Sequence, residues 1–497
     1  MIDGTKPVLG MRATGLRPYP AYRDAGVEWL GKVPEHWEVR RMATVADLRV
    51  SNVDKHIREG ESPVRLCNYV DVYHNDRIGA RVPFVAGTAK EREIRKFRLA
   101  VGDVLITKDS EDWSDIGVPA LVEYASHDLV CGYHLAMLRP NGASLDGGYL
   151  FQALKESRVA WQCQVAAAGV TRYGLSQNAI RSMRVPLPPL TEQTAIARFL
   201  DHADRRIRRY IRAKERLVEL LEERKRALIH EAVRGRIDVR TGQPYPAYKD
   251  SGVEWLGKVP EHWERRRLKT ILRVVDRRSS TGEETLLSLR RDHGVVVYSE
   301  HFTRPPQGRT LVGYKQLAVG QLVVNRLQAN NGLVFCSGVD GLVSPDYSVF
   351  DKTAPLQMKY LSDLLRTSAY RSHFRRVSTG LGTGTAGFLR LYDDVFLSTT
   401  VFLPPEKEQL SVLEYVAIQV RKIEGLIASA EACLELLDEY RTRLIADVVT
   451  GKLDARDAAA RLPETDPLAD DRDRADPIPT ASNLHSTAHE MAKEAIP

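Results

Sequence analysis

PYPAYRDAGVEWLGKVPEHWE runs from Pro18 to Glu38, and PYPAYKDSGVEWLGKVPEHWE runs from Pro244 to Glu264. The copies lie 226 residues apart and agree at 19 of 21 positions, differing only at Arg23/Lys249 and Ala25/Ser251. Chance does not produce such a match, so the chain reads as an internal duplication. A fainter repeat follows each copy. VPLPPLTEQTAIARFL from Val185 and VFLPPEKEQLSVLEYV from Val401 share Pro-Pro and Glu-Gln pairs at an offset of 216, and RGRIDVR from Arg234 answers TGKLDAR from Thr450. Between these anchors the halves have diverged, although GDVLITK (Gly102 to Lys108) still resembles GQLVVNR (Gly320 to Arg326). A framework that changes little around domains that change greatly suits two identical partners and two different targets.

Each Pro-Pro pair announces a long helix. Thr191 is a candidate cap with Glu192 in the first turn, and no Pro or Gly interrupts the chain from there to about Val233. Leu200, Ile207, Lys214, Leu221 and Leu228 recur every seven residues, with Ala203, Tyr210, Leu217 and Arg224 as the expected second row. The C-terminal helix repeats the register in Val416, Ile423, Ala430, Leu437 and Leu444 beside Gln419, Leu426, Cys433 and Tyr440, with Gly425 as its weak point. Residues 191–240 carry net +5 and residues 404–454 net −4, so the two helices are expected to pack together. The expected organisation is an N-terminal extension (1–16), a globular domain (17–189), a helix with linker (190–242), a second globular domain (243–403), a second helix (404–454) and an acidic, disordered tail (455–497).

The 497 residues include 72 Lys+Arg and 65 Asp+Glu, a mild basic excess that permits nucleic acid without requiring it. No apolar run of membrane-spanning length occurs, and MIDGTKPVLGMRATG has no leader pattern. The cysteines, Cys67, Cys131, Cys163, Cys336 and Cys433, are odd in number and never spaced C-x-x-C. These features predict a cytoplasmic protein without a structural zinc site.

Several stretches imitate active sites. GVEWLGKV (Gly26 to Val33, again Gly252 to Val259) nearly spells a P-loop. Val33 or Val259 replaces the Mg²⁺-holding Ser/Thr, and a proline follows. Gly382, Gly384 and Gly387 match G-x-G-x-x-G, yet HFRRVSTG rather than an apolar strand precedes them. PDYSVFDK (Pro345 to Lys352) resembles a nuclease signature but lacks the residue between Asp351 and Lys352. His36 and His262 have no metal-spaced partner and read as structural. No self-sufficient catalytic site and no metal site is expected.

Two stretches instead combine Arg, amides and Gly in ways suited to base edges and phosphates. In AAAGVTRYGLSQN (Ala166 to Asn178), Thr171 suits a phosphate, Tyr173 suits stacking, and Arg172 and Gln177 suit reading or positioning. In NRLQANNG (Asn325 to Gly332), Arg326 suits guanine, while Gln328, Asn330 and Asn331 suit adenine. Lys108 is the first-half counterpart of Arg326, and Arg277, Arg278, Arg290, Arg291, Arg304 and Arg309 add a basic sector to the second domain.

With two W-L-G-x-V-P-x-H-W segments, two helices opening P-P-x-x-E-Q and two variable domains between, the chain resembles the DNA-specificity subunit of Type I restriction–modification enzymes along residues 17–454. GVTRYGLS looks like that family's G-x-T-R-x-x-L loop; in the second half Arg390 stands displaced beside a longer glycine-rich loop. The resemblance implies a mixed α/β (α+β) fold with two target recognition domains and two long antiparallel coiled-coil helices in pseudo-twofold arrangement. It implies that each domain reads one half of a split, asymmetric site on double-stranded DNA while the helices set the gap. It implies two modification subunits using S-adenosylmethionine. In the repeated segment Trp29, Trp37, Trp255 and Trp263 read as aromatic anchors that pack internally or form a partner interface. Restriction subunits using ATP and Mg²⁺ would join the modification subunits, and this chain itself would be non-catalytic. The competing reading is a scaffold that recruits partners and binds DNA without regard to sequence.

Overall fold

The computed structural model describes residues 16–302, 310–381 and 388–463. The described residues form two compact units, one of 16–214 with 432–463 and one within 215–431. The sequence boundaries fall at the helix starts. The units instead divide both long helices, because each globular domain buries the adjoining parts of both.

In the first unit a five-stranded sheet runs in the order Ala46–Val50, Leu135–Pro140, Val104–Thr107, Pro119–Val122 and Arg77–Ile78, antiparallel except at its last pair. Its central strand, VLIT, is buried on both faces. Side chains alternate across a strand, so Val104 and Ile106 enter one apolar core while Leu105 enters another. The first of these cores also holds the Gly147–Lys155 helix; the second lies against a three-stranded sheet of Leu129–Cys131, Ser62–Cys67 and Val85–Ala89.

The second unit repeats the principle on a smaller scale. An antiparallel sheet runs Leu272–Val275, Tyr347–Lys352, Leu322–Asn325, Val334–Cys336. Leu322 and Val324 face the larger core, and Val323 faces the smaller one. The fold is mixed α/β, as the sequence implied.

The long helices span Leu190–Val233 and Glu406–Val449, 44 residues each. The first begins one residue before the expected cap: Thr191 lies inside it, and the Pro189 carbonyl accepts from the amides of Glu192 and Gln193. Gly425 is tolerated because nothing approaches within 4 Å of where its side chain would be. In the first unit, Ile196 and Leu200 share a core with Leu444, Ile445 and Val448; in the second, Leu228 and Ala232 share one with Val412 and Val416.

One register expectation is corrected. The first row is buried at Leu200, Ile207 and Leu228, but Tyr210 and Leu217 of the expected second row are exposed, as is Leu426 on the other helix. The buried second row follows by four residues rather than three: Ile211 and Ala232, then Ile427 and Val448. That row also contains Asp204, Lys225 and Arg441. Charges at inward positions concealed it.

The expected disorder of the tail is also corrected at its start. Arg456–Ala460 is helical, Ala455 and Ala459 are buried in the first unit's core, and Arg198 donates to the carbonyls of Leu462 and Pro463. Among the described residues no helix is long and apolar enough to cross a membrane.

Candidate functional site

The repeated segment builds a clamp. In each copy two short strands pair antiparallel, Tyr22–Asp24 with Lys32–Pro34 and Tyr248–Asp250 with Lys258–Pro260. GVEWLGKV is therefore the loop of a hairpin and does not feed a helix, which removes the phosphate-cradling reading. The aromatic end of each segment closes on the glutamate of its Glu-Gln pair. In the first unit Trp37 Nε1 donates to Glu192 Oε1 over 2.9 Å, the Tyr19 hydroxyl donates to the same oxygen, and His36 Nε2 lies 2.9 Å from Oε2. In the second, Trp263 Nε1 (3.1 Å) and the Tyr245 hydroxyl (2.7 Å) donate to Glu408 Oε1, and His262 Nε2 lies 2.8 Å from Oε2. Burial, and then the neighbouring carboxylate, push the hydroxyls of Tyr19 and Tyr245 up, so both remain protonated donors.

The same aromatics cover the end of the other long helix. Gly451 and Gly235 adopt positive φ, the left-handed conformation that closes a helix. A side chain at Gly451 would meet Pro34 at 2.3 Å, and one at Gly235 would meet Pro260 at 2.5 Å and Trp263 at 2.8 Å. Each clamp thus ties the start of one long helix to the end of the other within its unit. These shared contacts account for the identity of the copies at Tyr19, Pro34, His36 and Trp37 and at Tyr245, Pro260, His262 and Trp263.

It also corrects the interface assignment at two positions. Trp37 and Trp263 are each 1% exposed and have spent their N–H groups internally. Trp29 and Trp255 are half-buried: Trp29 packs on the first core, and Trp255 stacks on His373 at 4.3 Å. His36 and His262 each place Nε2 against the glutamate of their clamp and keep the rest of the ring half-exposed.

In the first domain the structure joins the stretch ending at Lys108 to the Ala166–Asn178 stretch. Leu175 N–H donates to the Lys108 carbonyl over 2.8 Å, and Tyr173–Gly174 pairs with Asp109–Ser110. Lys108 and the loop holding Thr171, Arg172 and Tyr173 therefore form one site. Thr171 and Arg172 are exposed, and Tyr173 is half-buried. Gln177 is exposed at the start of a short helix capped by Ser176. Lys108 itself is tied down, with its ammonium 2.6 Å from Asp109 and 5.3 Å from the Tyr133 ring centre.

Asp109, Tyr133 and His134 were missed. His134 is the only non-glycine residue with positive φ among the described residues (+71°), and its Nδ1 lies 2.6 Å from Asp109. Burial alone would raise the Asp109 carboxyl, but the hydrogen bonds from Lys108 and His134 outweigh it and hold it below the usual range. Backbone strain of this kind collects at functional sites. No sequence signal marks it, because CGYHLAM gives no hint that the turn falls on His134 rather than Gly132.

The second domain has the corresponding joint. Leu391 N–H donates to the Arg326 carbonyl over 2.9 Å, which brings Arg390 beside Arg326 despite the displaced motif. Both guanidinium groups reach Asp346: Arg390 Nη2 at 3.2 Å, and Arg326 Nη2 at 3.5 Å with its Nε donating to the Asp346 carbonyl at 2.6 Å. Gln328 is exposed, with Arg290, Arg291 and His293, around a shallow cleft of about 370 Å³. Asn330 and Asn331 are half-buried in the 3-10 turn Ala329–Asn331, where the Asn330 carbonyl accepts from Arg371. Of the basic sector, Arg277, Arg278, Arg290 and Arg291 are exposed, whereas Arg304 and Arg309 lie outside the described residues, as do Gly382, Gly384 and Gly387. Asp346 and Asp351 flank opposite ends of strand Tyr347–Lys352, roughly 16 Å apart along it. They cannot share a metal as nuclease carboxylates do.

A partly buried ion cluster joins the first domain to both helices. Asp76 accepts from Lys155 at 2.9 Å and from Arg208, while Asp204 accepts from Arg208 at 2.7 Å and from Arg441. In the second unit Lys225 lies between Glu222 and Glu424, at 3.3 and 3.2 Å.

Comparison with known proteins follows this geometry. Residues 34–217 match the family model for the Type I restriction modification DNA specificity domain. A putative type I restriction enzyme MjaX specificity subunit from Methanocaldococcus jannaschii is 24% identical over 236 residues, 47% of this chain and 52% of that protein. The MjaVIII specificity subunit of the same organism is 22% identical over 249 residues, 49% and 51% of the two chains. The chain thus spans about half the length of the curated relatives it matches. In fold it is similar to a chain of a type I R-M system solved for its assembly and conformational transition (TM-score 0.59, 14% identity, 85% of this chain and 99% of that one). It is also similar to the HsdS subunit of Thermoanaerobacter tengcongensis (TM-score 0.50, 15% identity, 85% and 98%).

Proposed function

We infer, from the match of residues 34–217 to the Type I restriction modification DNA specificity domain, that the whole protein is the specificity subunit of such a complex. It chooses the DNA sequence on which partner subunits act. The observation that carries this reading is the contrast between two nearly identical clamps and two unlike cation–carboxylate joints. A repeated frame offers alike surfaces to two modification subunits. Two unlike domains in one chain specify an asymmetric, two-part site, where a homodimer would specify a palindrome. Two half-sites on one frame also raise affinity through effective concentration.

In this proposal residues 17–189 and 243–403 are the target recognition domains. The two long helices form an antiparallel coiled-coil spacer that sets the gap, and the halves are related by a pseudo-twofold. Lys108, Thr171, Arg172, Tyr173 and Gln177 serve the first half-site, and Arg326, Gln328, Asn330, Asn331 and Arg390 the second. The half-exposed edges of Trp29 and Trp255 are the part of each clamp left for a partner. S-adenosylmethionine binds the modification subunits, and ATP and Mg²⁺ the restriction subunits. The chain acts in the cytoplasm and makes or breaks no bond itself.

Purified alone, it is expected neither to methylate nor to cleave DNA; with its modification subunits it methylates adenine at a two-part motif. Robust methylation by the isolated chain, or binding competed equally by unrelated duplex, contradicts the proposal. The spacer has its own test. One heptad added at facing levels of both helices lengthens each by about 10.5 Å, which widens the gap by at most about three base pairs and leaves both half-sites unchanged.

A further inference from the structure

Arg326 and Arg390 are the obvious base-reading groups of the second domain, but the geometry points elsewhere. Their side chains are 18% and 26% exposed, while that of Asp346, which both hold, is 62% exposed. Arg326 directs two of its nitrogens at Asp346, one to the carbonyl and one to the carboxylate. Arg390 gives Nη2 to the same carboxylate oxygen, lies 5.8 Å from the Tyr392 ring centre, and leaves its Nε enclosed without a hydrogen-bond partner. Of the three groups the cations form the backing, and the most exposed is the carboxylate.

The backbone fixes that group as well. Asp346 N–H donates to the Ser344 hydroxyl at 3.3 Å, and Tyr347 N–H closes a turn onto the Ser344 carbonyl at 3.0 Å. The Pro345-Asp346 pair, which imitates a nuclease signature in the sequence, is therefore a rigid tip at the start of a strand. An exposed carboxylate would ordinarily repel DNA. Here two guanidinium groups leave the local charge positive, so a duplex can approach.

A carboxylate accepts and cannot donate, so in the major groove its match is an exocyclic amino group, and cytosine N4 is its usual base partner. The remaining N–H groups of the flanking guanidiniums are donors, which suit the O6 and N7 acceptors of the guanine paired to that cytosine. We infer that Asp346 is a specificity-determining residue that reads the cytosine of a C·G pair in the half-site of the second domain, with Arg326 and Arg390 positioning it. This inference rests on the specificity-subunit reading above.

The test maps methylated adenines in cells expressing the full chain with its own modification subunits and no other adenine methyltransferase. The expected wild-type motif contains a C·G pair in one half-site. Asp346→Asn, which turns an acceptor into a mixed donor and acceptor, is expected to lower discrimination at that pair about tenfold or more. The other positions and the other half-site stay unchanged. Arg390→Lys, which keeps a cation beside the carboxylate, retains the pair at reduced methylation. An unchanged motif in the Asp346→Asn protein overturns the inference. So does a change falling on an A·T pair, or a uniform loss at all sites, whether or not its thermal stability falls. A wild-type complex that yields no two-part motif overturns the proposed function itself, and this inference with it.

Discussion

The clamps and the domain tips have followed opposite rules. Glu192 and Glu408 each gather a tryptophan, a tyrosine and a histidine from the repeated segment, with the same atoms meeting the same oxygens. Lys108 and Arg326 occupy corresponding places, each with its carbonyl held by a leucine amide, yet their side chains share no partner type except an aspartate. In the first unit that aspartate is the next residue in sequence; in the second it stands 20 residues away. A clamp whose donors are buried and satisfied tolerates little change, because removing one member leaves the others unpaired. An exposed tip can exchange its side chains without unfolding the sheet beneath it. Identity between the halves marks saturated geometry, and divergence marks the surface available for choosing a target.

The strongest way to break this contrast is to empty a clamp. Glu192→Ala leaves the Trp37 indole and Tyr19 hydroxyl without an acceptor in a site where Glu192 is 4% exposed. It is expected to destabilise the protein by roughly 3–5 kcal/mol in urea unfolding. Glu408→Ala should cost less, because the Glu408 side chain is 11% exposed against 4% for Glu192 and water can reach part of its site. Equal and small losses at both positions would show that the repeated segment is held by something else.

The next effect is steric. Gly451→Ala forces a Cβ to within 2.3 Å of Pro34 at a positive φ, and about 2–4 kcal/mol of destabilisation is expected from strain and overpacking together. A full-strength clamp with alanine at Gly451 would separate the helix end from the motif.

How far the fold was legible follows from the same contrast. The repeat and the long helices were plain, because a 21-residue identity and a Pro- and Gly-free stretch of forty residues are strong local signals. The inner helix row was not, because Asp204, Lys225 and Arg441 occupy inward positions where a pattern reader expects apolar residues. Asp204 and Arg441 pair with each other in the first unit beside Asp76 and Lys155, which come from the globular domain and lie far off in sequence, and Lys225 pairs with Glu222 and Glu424 in the second. The tips were half-legible. Arg172 and Arg326 stood out by residue type, but Asp109, His134 and Asp346 entered the site through strand pairing and a strained turn, which leave no local mark. An aromatic repeat holding Trp37 and Trp263 suits an interface as well as a core; only their hydrogen bonds to a distant glutamate decide between the two.

A smaller change is expected at the first tip. Arg172→Ala should weaken specific binding by about 1–3 kcal/mol if the side chain contacts a base. The loss should be confined to one half-site, different from the one altered by Asp346→Asn. Equal loss on specific and random duplex, measured by competition titration, would make Arg172 a phosphate contact and weaken the division between frame and reader.

The smallest effect separates the two units by pH. Burial alone would raise the Asp76 carboxyl, but Lys155, Arg208 and Arg441 outweigh it and hold it far below the usual range. A group depressed in the folded state contributes stability above its unfolded value, near pH 4, and that contribution is lost as the pH falls. The first unit should therefore lose stability on acidification below about pH 4, and Asp76→Asn should flatten that slope. Proteolysis or hydrogen exchange resolved by unit reads the change, which Asp76→Asn should diminish in the first unit and leave unaltered in the second.

The account stands most directly on the methylation motif that this chain imposes. Methylated adenines are mapped genome-wide in cells carrying the modification subunits, with and without the chain. The predicted result is a motif present only with the chain, made of two unlike half-sites separated by a constant gap. A palindromic motif, a single continuous one, or methylation independent of the chain would contradict the claim that two unlike readers stand on one repeated frame.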